Sequence, residues 1–444
     1  MESVLLYVLG ILVVVVGLAL SIGLHEVGHL LPAKLFGVKV GQYMIGFGPT
    51  LFSRRYGETE YGFKAIPMGG YISMAGMYPP AKDGSAPERY SSTGFFQTLV
   101  QDARTASAQT VTVGQEERVF YKLAVWKRIV IMLGGPAMNL LIGIVLYAVL
   151  LMGFGAPQVS TTVGSVSECV VSQTDAAAAE CGPDDTQAPG AAAGLLPGDR
   201  LVSLDGTAIT DWDQATAIIR DSAGDDLGMV VERDGENVAL TSVPLLTERY
   251  VYDADGEIVT DSDGNSVTEN VGFLGIGPAS EMVRQPVTAV LPAVGDNIGR
   301  VGHMILNLPA RLVDVVDAAF GTEERDPNGP ISVVGVGRLA GEISSLDTIP
   351  IVDKVSGLIG LLASLNIALF VFNLVPLMPL DGGHVAGALW EGIRRFFAKL
   401  FGRKDPGPVD IAKLVPLTLV VVVLLGSMSA LLIYADLVKP ISIL

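Results

Sequence analysis

The stretch VLLYVLGILVVVVGLALSIGL (residues 4–24) runs without interruption into His25-Glu26-Val27-Gly28-His29. Twenty or so apolar residues suffice to cross a hydrocarbon core of about 30 Å as a helix. The five residues that follow have the form H-E-x-x-H, which sets two imidazoles one helical turn apart on the same face. Such a pair can hold a zinc ion, with the glutamate between them placed as a general base. A metal motif lying where a membrane span is expected implies hydrolysis within a membrane.

Working outward, the 444-residue chain is 50% hydrophobic yet carries a formal charge of −17, which predicts two kinds of region rather than one soluble globule. Four spans are expected, at 4–31, 127–154, 355–380 and 411–436. The first could be read as a cleaved signal peptide, but it lacks a basic start, exceeds the usual apolar length and contains the metal motif. Lys34, Lys39, Arg54, Arg55, Lys64, Lys122, Lys127 and Arg128 lie between the first two spans, so that loop is expected on the cytoplasmic side. Residues 153–350 hold 31 Asp and Glu against nine Arg and no Lys, and are expected to face outward. Arg394, Arg395, Lys399, Arg403 and Lys404 after the third span return the chain to the cytoplasm. This acidic balance argues against nucleic acid as a partner, since that prefers a basic surface; the lipid bilayer is the expected one.

The fold class expected is therefore a polytopic α-helical membrane protein with membrane-associated β-hairpins and an outward α+β domain. Residues 1–158 form the first part of the membrane core. They include the first span, a glycine-studded region at 40–76 expected as short hairpins, a polar cytoplasmic loop at 77–126 and the second span. Residues 159–246 read as a compact soluble domain, with Gly194-Leu195-Leu196-Pro197-Gly198-Asp199 leading into a strand. Residues 247–350 are expected as a hairpin, turning at Asp255-Gly256 and Asp263-Gly264, and an amphipathic juxtamembrane helix. Residues 351–444 complete the core with spans three and four and a cytoplasmic loop at 385–410. The two cysteines, Cys169 and Cys181, fall in the outward segment, where a disulfide and two unpaired thiols are both open.

A catalytic zinc usually takes three protein ligands. His25 and His29 supply two. The third candidate is Asp381 in Leu380-Asp381-Gly382-Gly383, after Pro376 and Pro379, because a carboxylate at membrane depth is costly and usually functional. The prolines would unwind the helix and free the chain to turn that carboxylate toward the metal. One zinc ion per chain is expected, with Glu26 moving the proton. Asn373 is a candidate oxyanion or substrate donor, its alternative being a helix–helix hydrogen bond. Asn139 has the same choice and leans towards packing. His384 reads as a helix cap or a support to the ligands. A membrane-spanning substrate hides its peptide bonds in a helix, so an exposed strand edge is needed to hold it extended. Met68-Gly69-Gly70-Tyr71 or the Gly46-Phe47-Gly48 hairpin could present that edge; ordinary packing under the bundle is the alternative.

Taken in order, His25-Glu26-x-x-His29, Gly46-Phe47-Gly48-Pro49, Met68-Gly69-Gly70-Tyr71, Gly135-Pro136-x-x-Asn139 and Asn373 through Leu380-Asp381-Gly382 resemble the site-2 protease family of intramembrane zinc metalloproteases. The bacterial branch containing the regulator of sigma-E protease is the nearest likeness. Residues 159–246 look like the PDZ domain of that branch, with Gly194, Leu195, Leu196 and Gly198 as its groove. Two departures stand out: one PDZ copy rather than two, as in actinobacterial relatives, and Pro376-Leu-Met-Pro379 in place of Pro-x-Pro. The resemblance implies zinc held by His25, His29 and Asp381, with Glu26 catalytic. It also implies a bacterial inner-membrane location and single-pass substrates already cut by another protease, such as anti-sigma factors, or signal-peptide remnants. A silent membrane scaffold and a metal transporter are the competing classes. The intact Glu26 disfavours the first, and the lack of a second site or paired repeat disfavours the second.

Overall fold

The computed structural model describes residues 2–80, 95–111, 114–170, 181, 185–251, 258–261, 266–321, 325–326 and 329–441. They fall into two compact units, Met1–Phe154 with Pro286–Leu444, and Gly155–Gln285. In lipid every backbone group must be satisfied within its own element, and the apolar N-terminus accordingly forms one helix, α1 (Glu2–Leu35), which runs straight through the H-E-x-x-H motif. The glycine-studded region is not a set of short hairpins. It is one long pair, β1 (Val40–Tyr56) and β2 (Thr59–Met74), folded upon itself. Met44 is registered with both Gly62 and Tyr71, and Ile45 with both Phe63 and Gly70, so the first half of β1 lies between two segments of β2. Residues 70–74 are thereby left at an edge. Part of the expected cytoplasmic loop is helical: α2 (Phe95–Gln109) lies within it, and a short 3-10 turn (Phe120–Lys122) precedes α3 (Val125–Ala148). A π-helical turn, Val149–Phe154, extends α3 to the end of the second span.

The second unit contains β3 (Ala156–Val166), α4 (Pro189–Ala192), β4 (Arg200–Leu204), β5 (Thr207–Ala208), α5 (Trp212–Asp221), β6 (Leu227–Arg233), β7 (Glu236–Ser242), β8 (Leu245–Tyr250), β9 (Thr268–Phe273) and β10 (Ile276–Val283). Its sheet runs β10-β3-β4-β6-β7, with β5 on β4, while β8 and β9 pair separately. Asp211 caps α5 by accepting from Gln214 N at 2.8 Å. Leu201, Leu204, Leu227, Met229 and Val231 from the sheet pack with Ala215 and Ile219 of α5 to form the core. The expected boundary at residue 246 is too early. Leu274 belongs to that core and β10 pairs with β3, so the unit continues to Gln285. Cys169 and Cys181 are bonded. The turns expected at Asp255-Gly256 and Asp263-Gly264 lie outside the described residues.

Gly194, Leu195, Leu196 and Gly198, expected as the groove, do not line the groove described in this unit. Leu195 is 2% exposed within the core, and the rest of the turn wraps the carboxylate of Asp199. Leu196 N donates to Asp199 Oδ2 at 2.9 Å, Arg233 donates to both carboxylate oxygens at 2.7 Å, and Arg233 Nη2 also donates to Gly194 O at 2.8 Å. Hydrogen bonding from Arg233 holds the Asp199 carboxyl below its usual range. A groove of about 210 Å³ lies elsewhere, between Trp212, Thr216 and Arg220 of α5 and the segment from Gly272 to Ile276.

The chain then returns to the first unit as α6 (Val290–Leu306), α7 (Leu308–Phe320), α8 (Val333–Ser345), α9 (Ile351–Leu374), α10 (Asp381–Leu400) and α11 (Val415–Val438). The expected juxtamembrane helix is three helices. Asn297 of α6 donates to Tyr147 Oη at 2.6 Å and to Ser364 Oγ at 3.2 Å, which fixes α6 against α3 and α9. Asp436 of α11 accepts from Ser332 N and Gly335 N at the start of α8 and pairs with Arg325. Span three ends at Leu374 rather than 380. Residues 375–380 are non-helical, with a cis Met378-Pro379 bond, and most of the expected loop at 385–410 is the helix α10. Four helices among the described residues are long and apolar enough to cross a membrane: Ser3–Leu35, Val125–Phe154, Ile351–Leu374 and Ile411–Val438.

Candidate metal centre

Helix α1 carries His25 and His29 into contact with α3 because glycine lines both sides of the crossing. A methyl group on Gly28 would lie 2.2 Å from Gly134 O, and one on Gly134 would lie 2.0 Å from Gly28 O. Only bare backbone permits this approach, the small-residue packing that replaces hydrophobic association within lipid. One residue on, a methyl group at Gly135 would stand 2.2 Å from His29 Nε2 and 2.7 Å from His25 Cε1. Gly135 is the floor of the site.

His29 Nδ1 lies 2.7 Å from Ile131 O. A carbonyl oxygen can only accept, so Nδ1 donates and the lone pair is left on Nε2, pointing inward. His29 Nε2 is 3.2 Å from His25 Nε2, and Asp381 Oδ2 is 3.3 Å from each. A tetrahedron with bonds of about 2.0 Å, the length zinc makes to nitrogen and oxygen, has edges of about 3.3 Å. The three atoms therefore form one face of such a tetrahedron, and the donor set fits zinc. They are the one group of three or more His, Cys, Asp or Glu residues with this spacing among the described residues.

Asp381 reaches the histidines from the first turn of α10, after the break at 375–380. Gly382 makes that turn possible, since a methyl group there would stand 2.4 Å from both Leu374 O and Val375 O. The middle of α10 is fixed by charge. Arg128 of α3, 3% exposed, pairs with Glu391 of α10, which is fully buried and also accepts from Val409 N at 2.9 Å. Leaving either charge unpaired would be costly, so this pair sets α10 against α3. His384, one turn along α10, has no partner for Nδ1 among the described residues.

Beside the donor set lies an apolar cavity of about 770 Å³ between α1, α8 and α9, with walls that include Leu18, Ile22, Val336, Leu369 and Phe372. Its polar end gathers His25, Glu26, Gly69, Gly70, Asn139 and Asn373. Glu26 is 8% exposed and rests against the strand edge: a methyl group on Gly70 would lie 3.0 Å from Glu26 Cγ. Asn139 is 1% exposed, and its Oδ1 has no partner among the described residues. Asn373 Nδ2 donates to Leu369 O at 2.9 Å, within its own helix. Of the strand residues expected at the site, Gly46 and Gly48 do not border the cavity. They are bends at positive φ, and Phe47 between them packs over Gly69. The side chain of Met68 lies outside the described residues. Sequence reasoning used Gly135 only as part of a motif and Arg128 only for topology, and gave no place at the site to either, or to Ile131 and Glu391. The Gly134-Gly135 pair inside an apolar span was the available signal for the first; the carbonyl of Ile131 left none.

Residues 13–404 match the model of peptidase family M50. "Zinc metalloprotease Rip1" of Mycobacterium tuberculosis (strain ATCC 25618 / H37Rv) is 34% identical over 454 residues, covering 98% of this chain and 99% of that protein. The protein of the same name from Mycolicibacterium smegmatis is 34% identical over 99% of this chain and 100% of its own length. "Metalloprotease MmpA" of Caulobacter vibrioides is 27% identical over 85% of each. A family match across most of the length, with near-complete coverage of relatives at this identity, places the chain in peptidase family M50, the site-2 proteases.

Proposed function

We propose that this chain is a zinc endopeptidase of the bacterial inner membrane that cleaves membrane-spanning segments of single-pass proteins. The observation that carries the reading is the triangle of His25, His29 and Asp381 with edges of 3.2 and 3.3 Å, opening beside Glu26 on an apolar cavity. Zinc held by these three residues supplies Lewis acidity toward the scissile carbonyl. Glu26 takes the proton of the attacking water and returns it to the leaving amine. Residues 70–74, at the edge of the folded β pair, add the unwound substrate as a further strand, which presents its peptide bond to Glu26. Gly70, facing Glu26, keeps that approach free of a side chain. Asn139 and Asn373 donate to the substrate backbone or to developing negative charge. The basic loops support a site towards the cytoplasmic leaflet.

The second unit supports a PDZ reading on the outward side. The groove between α5 and Gly272–Ile276 borders the start of β10, a terminal strand of its sheet, where an extended peptide can be added. In this role it screens substrates: anti-sigma factors already trimmed by another protease, or signal-peptide remnants.

The test is Glu26→Gln in cells expressing a tagged single-pass substrate. Cleavage should fall by about 10²–10⁴-fold, the usual contribution of a general acid–base group, while the purified variant keeps its zinc. Undiminished cleavage would sink the proposal.

A further inference from the structure

The helix that begins at Asp381 has one face that nothing among the described residues covers. Leu389, Trp390, Ile393, Phe396, Phe397 and Leu400 are each between 47% and 64% exposed. At 100° per residue they project within an arc of about 120°. The opposite face is occupied: Glu391 pairs with Arg128, a methyl group on Gly387 would be 3.1 Å from Ile411, and one on Gly392 would be 3.4 Å from Val125. So α10 lies along the core with its apolar side outward.

It cannot cross the bilayer, because Asp381, Glu391, Arg394, Arg395 and Lys399 all fall within its 20 residues. The placement of the cations is informative. Lys399 and Arg394 project about 40–60° beyond the two borders of the apolar arc, and Arg403 and Lys404 follow at its end. None of these four joins an ion pair among the described residues, whereas Arg395, on the packed side, is held by Glu391 at 3.0 Å and Asp405 at 3.5 Å. Trp126, 57% exposed, opens α3 next to Val125, against which α10 packs. Two of the three tryptophans thus stand exposed on adjoining turns, as aromatic residues do at the level of lipid headgroups. An apolar arc bordered by free cations describes a helix lying in the membrane surface, and the cations complement anionic lipid.

We propose that α10 is an interfacial helix that seats its Leu389–Leu400 face in the bilayer and gathers anionic phospholipid headgroups through Arg394, Lys399, Arg403 and Lys404. The proposal requires the membrane spans but not the protease reading, so each can fail alone. The full chain with Trp126→Phe and Trp212→Phe retains Trp390 as its one tryptophan. It is reconstituted into nanodiscs of mixed phosphatidylcholine and phosphatidylglycerol, with bromine placed on one lipid or the other at equal mole fraction. Both brominated lipids should quench Trp390, the phosphatidylglycerol about twofold more or better. Changing Arg394, Lys399, Arg403 and Lys404 to Gln should equalise the two while quenching persists. Equal quenching in the unsubstituted chain would remove the anionic preference. Absence of quenching by either lipid would mean that a second copy or another protein covers the face, and would overturn the proposal.

Discussion

Gly135 shows how much of the site rests on a residue without a side chain. Its Cα lies so close to the ligands that an added methyl group would meet His29 Nε2 at 2.2 Å, inside any permitted contact. Neither imidazole can yield, because His29 is fixed by Ile131 O and His25 stands on the same helix one turn away. Gly135→Ala should therefore lower zinc affinity by at least about 10-fold, the lower end of the cost of disturbing a ligand's support. Zinc retained per chain after dialysis against a graded chelator measures this directly, without reference to activity. Retention equal to that of the unsubstituted protein would show that α3 can retreat and that Gly135 is not the floor of the site. At this scale the sequence was most informative where chemistry is costly. His25, His29 and Asp381 were legible because three ionisable groups in apolar surroundings need a reason. Gly135 was visible as part of a motif but its role was not, since glycine inside a span is common and its role depends on what faces it.

Elements were legible where hydropathy alone decides them and obscure where charge interrupts it. The four long helices follow from composition. Helix α10 read as a loop because charged residues break its apolar run, although Leu389, Ile393, Phe396 and Leu400 keep a helical spacing. The second unit ended early in the sequence reading because β10 joins its sheet only through pairing with β3, more than a hundred residues away along the chain. The Gly-Leu-Leu-Pro-Gly-Asp turn was recognised, but not its part in holding Asp199. It is built on Asp199, whose carboxyl is held below its usual range by Arg233. A carboxyl with a lowered folded-state pKa contributes stability that is complete above its unfolded value of about 3.9 and disappears as pH falls through the folded value. Asp199→Asn should thus destabilise the second unit at about pH 6, with a smaller penalty at about pH 3, below the unfolded value. Trp212 is the one tryptophan of that unit, so its fluorescence during denaturation, in a Trp126→Phe and Trp390→Phe background, reports the difference. A penalty that is the same at both pH values would mean that Arg233 does not act on Asp199 through charge.

On the scale of the whole molecule, the metal centre is divided along the chain and complete within one unit. His25 and His29 stand near the start, Asp381 near the end, and α3 supplies Gly135 and Ile131 between them. All belong to Met1–Phe154 and Pro286–Leu444. The second unit is an insertion. The chain leaves the first unit through the π-helical turn ending at Phe154 and re-enters it just before the 3-10 turn Val287–Ala289, and these two turns lie against one another. A short linker can therefore bridge the gap without strain on α3 or α6, because loop closure over a small span costs little. Replacing residues 155–285 with a flexible Gly/Ser linker should leave zinc content per chain unchanged. Cleavage should continue and extend to single-pass proteins whose outward domains have not been trimmed. Zinc retained with all cleavage lost would show that the second unit delivers substrate rather than screening it. Loss of zinc would show that the inserted unit helps to assemble the centre, and that the first unit alone is not the complete catalytic body.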